Sequence, residues 1–133
     1  MSSSSATVRV DVLAGFRDPR GLVFEPLPGD EIAGYRNLHV VISVPGAVRG
    51  NHRHLHGREI TTVVGPMLVR VRENGVMRDI EVPGGEVWRF DFPVGVPHAF
   101  KNTGSAASVL ASFNTEVHDP AHPDVEREVL IEA

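Results

Sequence analysis

The sequence predicts an all-β domain, an antiparallel sandwich or barrel. Three observations carry this. Glycine (13) and proline (10) punctuate the 133 residues at short intervals. The apolar runs between them are short and β-branched or alternating, and no stretch of a dozen residues holds a 3.6-residue period. The punctuation marks are Pro26-Leu27-Pro28-Gly29, Pro45-Gly46, Gly65-Pro66, Pro83-Gly84-Gly85, Pro93 and Pro97. Many short strands with turn signals between them close as a sandwich or barrel.

Met1–Thr7 reads as a short disordered lead, and residues 8–133 as one domain. A domain of this size buries roughly two-thirds of its unfolded surface. Leu38–Val44 is nearly all apolar and reads as the first clear strand. Glu59–Val64 is β-branched. Met67–Arg72 alternates, with Met67, Val69 and Val71 on one face and Arg70 and Arg72 on the other. Val87–Phe92 alternates too, placing Trp88, Phe90 and Phe92 together in the core. Ser108–Phe113 is the last clear run. Asp124–Ile131 fits a short helix or an edge strand equally.

Composition removes several classes of function. The chain has no cysteine, which excludes disulfides, thiolate metal sites and a cysteine nucleophile. The net charge is −4, and the 13 basic residues form no stripe, so nucleic acid is not an expected partner. No apolar run reaches the roughly 18 residues of a membrane span. The start, MSSSSA, lacks the regions of a signal peptide, and the expectation is a cytoplasmic protein.

The chemistry concentrates in NHRHLHGRE, residues 51–59. If Asn51–His54 is extended, His52 and His54 point to one face, about 7 Å apart along the strand. Gly57 allows a reversal, after which Glu59 opens the next strand and can face the same interior. Two imidazoles and a carboxylate suit zinc, iron, manganese or nickel rather than calcium or magnesium. A solvated histidine-rich loop is the alternative. A second segment, PVGVPHAFKN (93–102), presents His98 after a turn built on Pro93 and Gly95. Arg49 is a candidate clamp for a diphosphate, with Arg20 a second. His56, the spare imidazole of the cluster, is a candidate acid or base. His39, His118 and His122 are read as surface residues.

Together the two segments resemble the paired motifs of the cupin superfamily. The first, G-x5-H-x-H-x(3,4)-E-x6-G, is met by Gly46, His52, His54, Glu59 and Gly65, with five residues rather than six in the last gap. The second, G-x5-P-x-G-x2-H-x3-N, is met by Pro93, Gly95, His98 and Asn102, while Gly85 lies two residues too far upstream. The resemblance implies a single small cupin barrel, a double-stranded β-helix or jelly roll. It also implies one divalent transition metal, zinc first among the candidates, held by His52, His54, Glu59 and His98.

A narrower likeness covers most of the chain. DPRGLVFE (18–25) and VPGAVRGNHRH (44–54) are similar to segments of sugar-nucleotide cupins. DFPVGVPHAFKNTG (91–104) and NTEVHDPAHPD (114–124) resemble the C-terminal cupin domain of capsular-polysaccharide enzymes acting on UDP-4-keto sugars. That likeness implies an epimerase or isomerase of nucleotide-activated 4-keto sugars, the cupin resemblance implies a homodimer, and in such an enzyme His56 and Arg49, chosen on their own chemistry, are the candidate catalytic residues. The capsular relatives carry a lysine two residues before the glutamate, where this chain has Gly57. R-G-x-H recurs in metal-free sugar epimerases that also use a tyrosine acid, but Tyr35, the one tyrosine here, lies outside that position. A cupin dioxygenase with an iron site of three histidines and a glutamate is the rival enzyme class, and a non-catalytic small-molecule-binding cupin the rival outside enzymology.

Overall fold

The computed structural model describes residues 7–133, so most of the expected lead, 1–7, lies outside the described residues. Among the described residues twelve strands form two five-stranded antiparallel sheets and a small hairpin. In chain order they are β1 (Arg9–Leu13), β2 (Phe16–Asp18), β3 (Gly21–Val23), β4 (Asn37–Ser43), β5 (Val48–His54) and β6 (Glu59–Val64). Then come β7 (Met67–Glu73), β8 (Val76–Val82), β9 (Val87–Phe92), β10 (His98–Asn102), β11 (Ser108–Asn114) and β12 (Val125–Arg127). One sheet has the order β1-β9-β6-β11-β4, the other β12-β5-β10-β7-β8, and β2 pairs with β3 alone. This is the jelly-roll barrel that the cupin resemblance implies. Among the described residues no helix is long and apolar enough to cross a membrane.

The core forms because alternate residues of both sheets turn inward. Val63 from β6, Met67, Val69 and Val71 from β7, Phe90 and Phe92 from β9 and Phe100 from β10 meet there. Trp88 packs against this cluster partly buried, and its indole N–H donates to Glu86. The outward residues of β7 pair as their charge requires: Arg70 with Asp79 and Arg72 with Glu128.

Five expected strands match β4, β6, β7, β9 and β11 within a residue or two. The tail resolves as an edge strand, β12, and not as a helix. It is tied down by Asn51, whose side chain accepts the N–H groups of Leu130 and Ile131 and donates to the Ile131 carbonyl. Leu130 and Ile131 then bury themselves on Ala99 outside the second sheet. β8 escapes the sequence reading because it is an edge strand, exposed over most of its length, with only Ile80 and Val82 turned to the core.

The β5–β10 ladder slips by one residue between His98 and Ala99. His52 lies opposite His98 and Gly50 opposite Ala99, leaving Asn51 as the extra residue of a β-bulge. Gly50 and Asn51 both have positive φ, 80° and 57°. Glycine takes that conformation at no steric cost, and asparagine more readily than most other residues. A side chain at position 50 would also meet the His98 carbonyl at 2.9 Å.

Candidate metal centre

The bulge decides which side chains share the interior. Plain alternation would put Arg49 and His52 on opposite faces of β5. The extra residue reverses the parity, so Arg49, His52 and His54 all turn toward the other sheet. β10 brings His98 beside His52, and β6 brings Glu59 across from the facing sheet. One ligand atom from each of His52, His54, Glu59 and His98 lies within 4.8 Å of the others. Ring centroids stand 5.1 Å apart for His52–His54, 4.9 Å for His52–His98 and 5.6 Å for His54–His98.

The hydrogen bonds around the cluster leave one atom conspicuous. His98 is fully buried, stacked on Phe92 at 4.1 Å between centroids. Its Nδ1–H donates to the Val96 carbonyl at 3.0 Å. That bond leaves the Nε2 lone pair aimed into the cluster, where it has no hydrogen-bond partner. Glu59 Oε2, at 3.6 Å, is too far. A buried polar atom left unpaired costs about 1–3 kcal/mol. An ion would satisfy it, and three imidazoles with one carboxylate are a donor set for zinc and its neighbours in the transition series.

Glu59 is the anion of the group. Burial pushes its carboxyl up, but the His54 hydrogen bond and the nearness of the His98 imidazole outweigh it, and the acid lies well below the usual range. Its Oε1 is 2.5 Å from His54 Nε2, and its Oε2 accepts the Thr61 hydroxyl at 2.5 Å. Burial, with the neighbouring His98 imidazole, pushes the His52 pKa down to about 4. His52 is therefore neutral near pH 7, the form that ligates.

Two partners of this cluster were not singled out from the sequence. Asn114, on β11, accepts the Glu116 N–H at Oδ1, which turns its Nδ2 toward His54 Nδ1 at 3.3 Å. Asp124 accepts the backbone N–H groups of His56 and Gly57, and its Oδ2 lies 3.8 Å from His54 Nδ1. Gly57 has no room for a side chain: a Cβ there would stand 2.3 Å from Asn114 Oδ1 and 2.8 Å from Asp124 Oδ2. Both partners are legible only in three dimensions, since 60 and 70 residues separate them from His54.

His52, His54 and Glu59 line a cavity of about 440 Å³, while His98 is fully buried and does not line it. Arg49 lines it, its Nε 3.3 Å from Ser43 Oγ, with no carboxylate at salt-bridge distance among the described residues. His39 and His118 line it as well, and both are exposed, as the sequence suggests. His56 does not line it. That ring is 77% exposed and bonded to Asp124 Oδ1 in an adjoining outer depression. Arg20 is bound to Asp18 on the β2–β3 hairpin and is also absent from the cavity lining.

Residues 16–126 match the family model described as the polysaccharide biosynthesis C-terminal domain. The chain belongs to this family. The matched span holds every residue of the cluster, together with Asn114 and Asp124. No curated protein matches the chain. Among solved structures, the polysaccharide domain is similar to the capsular polysaccharide assembling protein CapF from Staphylococcus aureus. The two are 28% identical, with a TM-score of 0.66, over 89% of this chain and 34% of that one. The domain thus spans about a third of the length of CapF. It shares its fold with QdtA, a sugar 3,4-ketoisomerase from Thermoanaerobacterium thermosaccharolyticum solved with TDP, at 19% identity and a TM-score of 0.68 over 91% and 88% of the two chains. ChmJ, a 3'-monoepimerase from Streptomyces bikiniensis solved with dTDP-quinovose, shares it at 17% identity and a TM-score of 0.73, over 90% and 68%. These likenesses place the polysaccharide domain among the cupins.

Proposed function

We propose that this domain binds a nucleotide-activated 4-keto sugar and moves a proton at the carbon next to the ketone, as an epimerase or isomerase of polysaccharide biosynthesis. The observation that carries the site is the cluster, three of whose four members line the cavity, with its buried, unpaired His98 Nε2. The sugar-nucleotide part draws on the family and on the activities and ligands of QdtA and ChmJ, which share this fold. His52, His54, Glu59 and His98 would hold one divalent transition metal, zinc first. When bound, it supplies a Lewis acid that polarises the ketone and lowers the cost of enediolate charge.

The chain's own residues supply the remainder. Arg49 lines the cavity with no carboxylate partner among the described residues, and its planar guanidinium matches a diphosphate in a bidentate fork. Glu59, buried and ionised, holds one unit of negative charge among three imidazoles and so favours a cation at their centre. Asp124 Oδ2 lies 3.8 Å from His54 Nδ1, so a small approach would let this carboxylate take an Nδ1–H when His54 gives up Nε2 as a ligand. The cavity volume falls within the range of small-molecule sites.

Two measurements test the reading. Elemental analysis and titration should find about one transition metal per chain. Mass spectrometry in heavy water should find metal-dependent deuterium uptake into a 4-keto-6-deoxy sugar nucleotide. A protein that binds none of zinc, iron, manganese or nickel sinks the metal assignment. Oxygen consumption on another substrate, with no uptake into any keto sugar, would transfer the site to the dioxygenases.

A further inference from the structure

We propose that His39 is the base that removes the proton, an assignment that rests on the keto-sugar reading above. Four observations converge on it. First, the sheet register carries His39 to the correct face. His39 pairs with Ser112, and Ser112 pairs with Thr61, so the three side chains form one inward row across β4, β11 and β6. Ser112 Oγ is 2.9 Å from Thr61 Oγ1, and Thr61 donates to Glu59. Two strand spacings separate the His39 and Thr61 backbones, about 10 Å.

Second, His39 shares the cavity with the cluster and with Arg49. Third, its Nδ1 lies 3.4 Å from Asn37 Oδ1, an oxygen that can only accept. A proton held on Nδ1 leaves the Nε2 lone pair free to act as a base. Fourth, the competitors are spent or misplaced. The imidazoles of His52, His54 and His98 belong to the cluster, and Asp124 is occupied by the His56 and Gly57 N–H groups. His56 faces the outer depression. Glu116, His118 and Asp119 also line the cavity, but on the strandless connection after β11, a less rigid mount than β4.

The step balances without a redox partner. The bond from hydrogen to the carbon beside the ketone breaks, and the proton moves to His39 Nε2. The electron pair forms the carbon–carbon double bond of the enediolate, and the carbonyl pair moves onto oxygen. Because His39 is exposed on its outer side, its captured proton exchanges with solvent before return.

The test is solvent-deuterium uptake into a 4-keto-6-deoxy sugar nucleotide by the metal-loaded protein, compared with His39→Asn and, as a control, His122→Asn. His39→Asn should exchange about 10²–10³-fold more slowly. Its metal content and nucleotide affinity should stay within about twofold, and the acid limb of the parent's pH–rate profile should vanish. Added imidazole should restore part of the rate to His39→Ala. A parent that exchanges while His39→Asn keeps pace, acid limb intact, overturns the His39 assignment alone. A parent that exchanges no keto sugar nucleotide overturns the function and this assignment with it.

Discussion

Replacing His98 with leucine tests whether the cluster is built for a ligand. The imidazole is completely buried and packed flat on Phe92, so truncation to alanine would open a core cavity costing about 2–4 kcal/mol by analogy with other large-to-small changes. Such a loss would say nothing about metal. Leucine keeps most of the volume and separates the two effects. In the metal-free protein it abolishes the unpaired Nε2, a gain of about 1–3 kcal/mol, and strands the Val96 carbonyl, a loss of about 1 kcal/mol. The metal-free variant should therefore be as stable as the metal-free parent, or more stable by about 1–2 kcal/mol. With zinc at a hundred times its Kd, the parent gains about 2.7 kcal/mol. For a domain of this size that raises Tm by about 8–13 °C, while His98→Leu should gain little. Urea titration and thermal melts, each with chelator and with zinc, read both quantities. A metal-free variant weaker than the parent by more than about 3 kcal/mol, with a parent melt that no metal moves, would show that His98 is an ordinary core residue and refute the reasoning.

Asp124→Asn should weaken zinc binding about 10–100-fold in a competition titration, because the amide is a poorer acceptor for a His54 Nδ1–H than the carboxylate it replaces. Gly57→Ala should lower both stability and metal affinity in the same assays, since its Cβ would overlap Asn114 and Asp124; unchanged values would show that the two residues move aside freely. Arg49→Lys should weaken binding of UDP or TDP about tenfold in calorimetry despite keeping the charge, and an equal affinity would remove the bidentate clamp. The homodimer implied by resemblance has a candidate surface on the outward face of β4. Leu38, Val40 and Ile42 are exposed there, and no charged residue lies between Arg36 and Arg49 to discourage pairing with a second copy at this sheet edge. Ile42→Lys should halve the mass found by light scattering, and a parent already monomeric would dismiss that surface.

Some of this was visible in the sequence because it is local. The strands that became β6 and β9 carry their pattern in the chain itself. One face of each feeds the core, and burial imposes a period of two. The four residues of the cluster were legible for a related reason: two sit on one strand, and Glu59 and His98 each open a strand after a turn marked by glycine or proline. What the sequence could not show depends on neighbours distant along the chain. β8 and β12 are edge strands whose exposure leaves little of the alternation that would announce them. His39 looks like one more polar residue in a mostly apolar strand until β11 and β6 set the row in which it lies. His56 belongs to the cluster by sequence spacing but leaves it in space, because Asp124 anchors both its ring and its backbone outside the cavity.

The bulge at Asn51 links these levels. Alternation along β5 correctly joins His52 to His54 but would set Arg49 against them. The face of Arg49 is recovered only because Gly50 and Asn51 take left-handed backbone and absorb one residue. That conformation turns the Asn51 side chain outward, where it binds Leu130 and Ile131 and fixes the tail along β5. The tail in turn carries β12, immediately after Asp124, against His52–His54. One irregular residue thus aims the histidines inward, brings Arg49 to their side, and holds in place the segment that delivers the Asp124 carboxylate toward His54. The C-terminal strand supplies no member of the metal cluster, yet it belongs to the frame of the site.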